Sequence, residues 1–185
     1  MNYPMVCGEV EKLQRTYDEA DPFRLCEEMG ILLLFRPFGT APGAVKGFFL
    51  ECSNVRSITV NSDLPVMIQR IIVAHELGHA VLHRNSGVCA FHDIDLYDSI
   101  SGMERDANFF AAEFLLSDDD VLEVLNRDGT FFTAAAELMV PAELLDFKFR
   151  ILKWKGYQIT GSPMAARSNF MRDMQIPYNS DYDAC

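Results

Sequence analysis

Short apolar runs broken by Gly, Pro and polar turns fill the first third of the chain, and longer stretches with helical spacing fill most of the rest. The first element this pattern predicts is a helix over Asp21–Glu28, with Asp21 as its cap, Pro22 at its first position and Gly30 just past its end. Strand-like runs follow at Ile31–Phe35, Gly47–Cys52 and Val55–Asn61. A long helix from about Pro65 to His83 is apolar almost all round, the mark of a buried helix. Residues 85–102 are polar, acidic and aperiodic, and are expected to form a loop. Helices are then predicted over Met103–Leu116 and from a Ser117 cap to Asn126, followed by a helix–turn–helix-like pair over Thr133–Met139 and Pro141–Lys155. Strands first and helices afterwards predict an α+β fold, a small antiparallel three-stranded sheet packed against a mainly helical bundle. One domain is expected over residues 1–160, with an irregular tail over 161–185.

Composition narrows this picture. Apolar residues make up 49% of the 185, enough for a core. With 16 Lys+Arg against 27 Asp+Glu, the net charge of -11 argues against direct nucleic-acid binding, which needs a basic face. The N-terminal residues lack a signal-peptide pattern, and no run of 18 apolar residues is present, so no membrane association and a cytoplasmic location are expected. The five cysteines, Cys7, Cys26, Cys52, Cys89 and Cys185, are scattered without a CxxC pair and are expected to be reduced thiols. Cys89, shortly after the long helix, is the one to consider near a metal.

The chemistry lies in His75-Glu76-Leu77-Gly78-His79, an H-E-x-x-H motif within the apolar helix. Residues four apart share a helix face, so both imidazoles can address one metal ion, and Glu76 falls beside it as a general base. The alternative is a pair of hydrogen-bonded core histidines. Burying two His and a Glu on an apolar helix without partners would cost several kcal/mol, which favours the metal. Gly78 costs about 1 kcal/mol relative to alanine within a helix, and a closely crossing element would explain it.

A catalytic zinc takes three protein ligands and keeps one position open. His83 lies one turn beyond His79, too far along the axis for a compact site, and is expected to pack or to support a ligand. The Met103–Leu116 helix carries Glu104, Asp106 and Glu113. Glu104 shares a face with Ala107, Asn108 and Ala111, small enough to let the two helices approach, whereas Asp106 and Glu113 point to the opposite side, where solvated charges are expected. Glu104 is therefore the expected third ligand, with Asn108 orienting a ligand from behind.

With these residues in hand, the chain resembles the ImmA/IrrE family of metallopeptidases. The resemblance rests on HELGHAVLH (75–83) followed by ERDANFFAAEFLL (104–116), the family's H-E-x-x-H and E-x-x-A-N-x-F-A-x-x-L-L pair. The second block is also similar to the E-x-x-x-D of thermolysin-type gluzincins, with Asn108 in the Asp position. Ser117-Asp118 replaces the family's usual Met-Pro. The resemblance implies Zn2+ on His75, His79 and Glu104, Glu76 as base, and a protein substrate, with phage- or mobile-element-type helix-turn-helix repressors as the implied class.

Candidates for stabilising the oxyanion are His92, Tyr97 and Tyr157, none singled out by spacing. The Gly47–Cys52 run is a candidate edge strand for pairing with an extended substrate. Two other readings stay open: a non-catalytic zinc-containing regulatory or interaction protein, whose fourth ligand Cys89 would supply, and DNA binding through the 133–155 pair. Lys148, Arg150, Lys153 and Lys155 favour the latter, but Glu143 and Asp146 share their helix.

Overall fold

The computed structural model describes residues 3–83, 99–127, 130–159 and 161–174. An element not expected from the pattern opens the chain: α1 (Tyr3–Tyr17) buries Val6, Val10 and Leu13. Tyr3, Cys7 and Tyr17 extend this apolar stripe at its edges, only partly buried. Tyr3 packs edge-on to Phe109, with ring centroids 4.9 Å apart. In α2 (Pro22–Glu28) the Asp21 side chain accepts from Phe23 N–H and Pro22 starts the helix, as expected.

The sheet comprises β1 (Leu32–Arg36), β2 (Gly47–Cys52) and β3 (Val55–Asn61), in the order β1-β3-β2. β2 and β3 form a hairpin whose Ser53 and Asn54 both take positive φ, as a two-residue turn between right-twisted strands requires. β1, however, pairs parallel with β3, from Leu32↔Ser57 to Arg36↔Asn61, so the sheet is mixed and not wholly antiparallel. The cause is residues 37–46, which carry the chain past the end of β3 to its other edge. Fully buried Asn61 ties that crossing down: its amide donates to Gly39 O at 2.8 Å and Val45 O at 2.9 Å, and its oxygen accepts from Phe38 N–H.

Against the sheet lies α3 (Val66–Leu82), buried continuously from Ile71 to Ala80. α4 (Ser99–Leu115) crosses it and begins four residues earlier than expected, taking in residues 99–102. The remainder of the expected 85–102 loop, with Cys89, His92 and Tyr97, lies outside the described residues. Ser117 caps α5 (Asp118–Asn126) by accepting from Asp120 N–H, and Thr130 caps α6 (Phe131–Glu137) in the same way through Thr133 N–H. α7 (Ala142–Trp154) follows. Residues 161–174, expected as the start of an irregular tail, pack back on the core: Ala166, Phe170 and Met171 are buried, the last two in the short α8 (Phe170–Asp173).

Two charge expectations are corrected. Glu113 is not solvated but mostly buried, because α7 covers that side of α4; Lys148 Nζ lies 2.6 Å from Glu113 and 2.6 Å from Asp118, and Lys155 bridges the same two carboxylates. Asp106 is half-buried, and its Oδ1 has no hydrogen-bond partner among the described residues. Of the cations that suggested a DNA reader, Lys148 and Lys155 are thus paired internally, and Arg150 binds Asp146 and Ala166 O. No helix among the described residues is long and apolar enough to cross a membrane.

Candidate metal centre

The site depends on how closely two helices approach. A Cβ on Gly78 would stand 3.0 Å from Ala107 Cα and 3.2 Å from Ala107 O, so only glycine lets α4 lie this near α3. The expected reason for Gly78 is therefore met. One turn before Ala107, Glu104 reaches across: its Oε2 is 3.3 Å from His75 Nε2 and its Oε1 is 3.2 Å from His79 Nε2. The two Nε2 atoms are themselves 3.2 Å apart. His75, Glu76 and His79 are all buried, at 2%, 3% and 6% exposure.

The charge balance favours a cation. Burial would push Glu104 up, but hydrogen bonds and charge from His75 and His79 outweigh it and hold the carboxyl far below its ordinary range. Burial would likewise push His75 down, yet the hydrogen bond and charge of Glu104, the charge of Glu76 and the Asn108 side chain together hold it up. Two imidazoles around an ionised carboxylate attract positive charge, whether a proton or a metal brings it.

The donor set passes a simple fit test. Tetrahedral ligands at about 2.0–2.1 Å from zinc stand about 3.3–3.4 Å from one another. Nε2 of His75, Nε2 of His79 and a Glu104 oxygen match that spacing, and these three residues can offer their atoms to one ion. Buried Glu76 Oε2 has no hydrogen-bond partner among the described residues, an unsatisfied acceptor next to the triangle.

Around the triangle, each supporting residue has its place. His83 Nδ1 lies 3.2 Å from His79 Nδ1, behind the ring, so it supports His79 and does not join the three donors. Burial, reinforced by the neighbouring His79, pushes His83 down to about 4. The Asn108 side chain acts on His75 and helps hold it up; its Oδ1 and His75 Nδ1 are both buried and neither makes a hydrogen bond of ordinary geometry among the described residues, while its amide donates to Ser168 O at 2.6 Å. Tyr157 is exposed beyond the end of α7.

Two residues near the site escape the sequence pattern. Gly47 opens β2 where a Cβ would overlap Ile72 of α3 and come within 3.9 Å of Glu76 Cγ; a glycine inside a strand run was its only signal. Ser168 acts through its backbone, which no residue type announces.

Comparison with known proteins places the chain in a family. Residues 26–150 match the peptidase family described as the IrrE N-terminal-like domain, a span that includes the whole donor triangle. The chain is 30% identical over 146 residues to immunity region protein 2 of Bacillus phage phi105, covering 79% of this chain and 90% of that protein. It is 26% identical to the metallopeptidase ImmA of Bacillus subtilis, over 76% of this chain and 81% of that one. To the radiation response metalloprotease IrrE of Deinococcus radiodurans it is 33% identical over 121 residues, 62% of this chain but only 34% of that longer protein. With the family match spanning more than half its length and taking in both helices of the donor triangle, the chain belongs to the ImmA/IrrE family of metallopeptidases.

Proposed function

We propose that the protein is a zinc-dependent endopeptidase in which His75, His79 and Glu104 hold the metal and Glu76 is the general base. The observation that carries this reading is the His–His–Glu triangle with an unpartnered, buried carboxylate beside it. Two imidazoles and one carboxylate form the donor set that suits zinc while leaving a position open. When bound, zinc supplies Lewis acidity to the scissile carbonyl and lowers the pKa of water towards about 7.

The chain's own residues do the rest. Glu76 Oε2 accepts a proton from the attacking water and delivers it to the leaving amine nitrogen, so the amine departs neutral. Asn108 Oδ1 is available to accept from His75 Nδ1, which would leave Nε2 as the metal-facing atom. β2, at one edge of the sheet and beside Glu76 through Gly47, is suited to pair with an extended substrate strand.

The substrate in this reading is a protein, with a helix-turn-helix repressor of a phage or mobile element as the specific class. The similarity to a phage immunity region protein supports that choice. Cytoplasmic residence fits the free thiols of Cys7, Cys26 and Cys52. The test is incubation of zinc-loaded wild type and Glu76→Gln with such a repressor, with a chelator control. Fragments that require both Glu76 and metal are expected, and equal cleavage by the variant would refute the mechanism.

A further inference from the structure

Asn108 lies in the family-matched span, but what holds it does not. The match ends at residue 150, and the Asn108 amide donates across 60 residues of sequence to Ser168 O at 2.6 Å. That carbonyl belongs to a segment anchored independently of the site. Ala166 N–H donates to Asp146 Oδ2 at 2.9 Å, Ala166 O accepts from Arg150 at 2.9 Å, and Asp146, 2% exposed, is itself paired with Arg150. Two residues after Ser168, Phe170 is buried against Phe147, ring centroids 5.6 Å apart.

A side-chain amide can present either its oxygen or its NH2 to a neighbour, and only a second partner selects between them. Here the NH2 is committed to Ser168 O, so the oxygen is left for His75, on which the Asn108 side chain acts and whose Nδ1 is likewise buried without a hydrogen-bond partner among the described residues. With the amide reversed, its NH2 would face Nδ1 and favour the tautomer that carries its proton on Nε2, the atom needed by the metal.

We propose that the segment around Ser168 is a positioning element of the metal centre: its backbone carbonyl fixes the Asn108 amide and thereby presents His75 Nε2 to the metal. This inference rests on the metal-site reading above and extends it to residues 161–174, outside the family match. Ser168 acts only through Asn108.

A carboxylate at position 108 distinguishes this role from plain structural support. Either oxygen of an aspartate accepts from His75 Nδ1, so it needs no orienting partner, but it would face Ser168 O with like charge. The experiment is performed on the full chain. Ala166→Pro removes the N–H that binds Asp146, and Phe170→Ala loosens the apolar anchor; neither residue touches the metal donors. Each is made alone and together with Asn108→Asp, and Asn108→Asp is also made in the wild type. Zn2+ affinity is read by competition with a chelator, with circular dichroism to confirm folding.

Each loosening substitution is expected to weaken Zn2+ binding by about 10–100-fold, the usual effect of losing a ligand's supporting hydrogen bond. Adding Asn108→Asp should restore most of that loss, whereas in the wild-type background it should weaken binding. Should one loosened variant not fold, the other carries the comparison. Wild-type affinity in both loosened variants, or loss that Asn108→Asp does not repair, would overturn the positioning role. A wild type that binds no Zn2+ would overturn the metal-site reading itself, and this inference with it.

Discussion

Gly78 of α3 rests against Ala107 of α4 so closely that a methyl group on Gly78 would lie 3.0 Å from the Ala107 Cα. The neighbour is backbone and cannot rotate away, so any larger residue must move a helix. Gly78→Val is expected to destabilise the fold by about 1–3 kcal/mol. Because Glu104 lies one turn from the contact, it should also weaken Zn2+ affinity. Thermal melting and chelator competition measure the two effects, and an unchanged affinity would show that the contact does not set the position of Glu104.

A second close approach, Gly47 against Ile72, makes a distinct prediction because the nearest obstacle is a side chain, with the backbone Thr59 O next at 3.0 Å. Gly47→Ala is expected to cost about 1–3 kcal/mol. Ile72→Ala opens a cavity at a cost of about 2–5 kcal/mol. The double variant should cost less than the sum of the two, since the removed methyl makes room for the new one. Denaturant melts of all four proteins test this; strict additivity would refute the steric reading.

For the proposed chemistry, Glu76→Gln keeps the shape of the side chain and removes the base. Zn2+ affinity should remain close to wild type while cleavage falls by about 10²–10⁴-fold. Glu104→Ala should do the opposite in order, losing metal first and activity as a consequence. Metal content after dialysis and fragment yield by mass spectrometry separate these outcomes.

The Lys148–Glu113–Asp118–Lys155 cluster gives the fold a pH dependence at both extremes. Burial would raise the Asp118 carboxyl, but hydrogen bonds from Lys148 and Lys155 outweigh it and hold it below its ordinary 3.8. Its contribution is therefore present above that value and lost as the pH falls through the lowered one. Burial would lower Lys155, but hydrogen bonds from Asp118 and Glu113 hold it above 10.5, so its contribution is full below 10.5 and lost as the pH rises further. Asp118→Asn should flatten the acid limb of a stability–pH curve. Lys148→Met, which removes the buried cation and leaves the two carboxylates to the more exposed Lys155 alone, should cost up to about 3–5 kcal/mol at neutral pH.

Thiol chemistry tests the packing of the N-terminal helices. Burial pushes Cys7 up to about 11 and Cys26 up to about 12, which suppresses their thiolates at neutral pH. Cys52 is exposed near the end of β2. Under brief alkylation at pH 7.5, peptide mapping should find Cys52 modified and Cys7 and Cys26 protected until denaturant is added. Rapid labelling of Cys26 in the folded chain would contradict the placement of α2.

The spacing of His75, Glu76 and His79 and the apolar character of their helix were legible in the sequence, because helical periodicity is local and dictates which residues share a face. The same periodicity, with the small residues Ala107 and Ala111, singled out Glu104 and gave Gly78 its reason. What periodicity cannot state is what covers a face. It placed Glu113 away from the site, but only the docking of α7 turned that side into a buried ion cluster. It marked three strands, but the parallel pairing of β1 followed from a crossing held by Asn61. It named Asn108 as a support, yet the partner that orients it is a backbone carbonyl 60 residues away, in a segment that looked irregular. Hydrogen bonds to main-chain atoms and contacts between distant elements carry no residue-type signature, so the candidate donors could be read along the chain while their arrangement and support were decided by the tertiary fold.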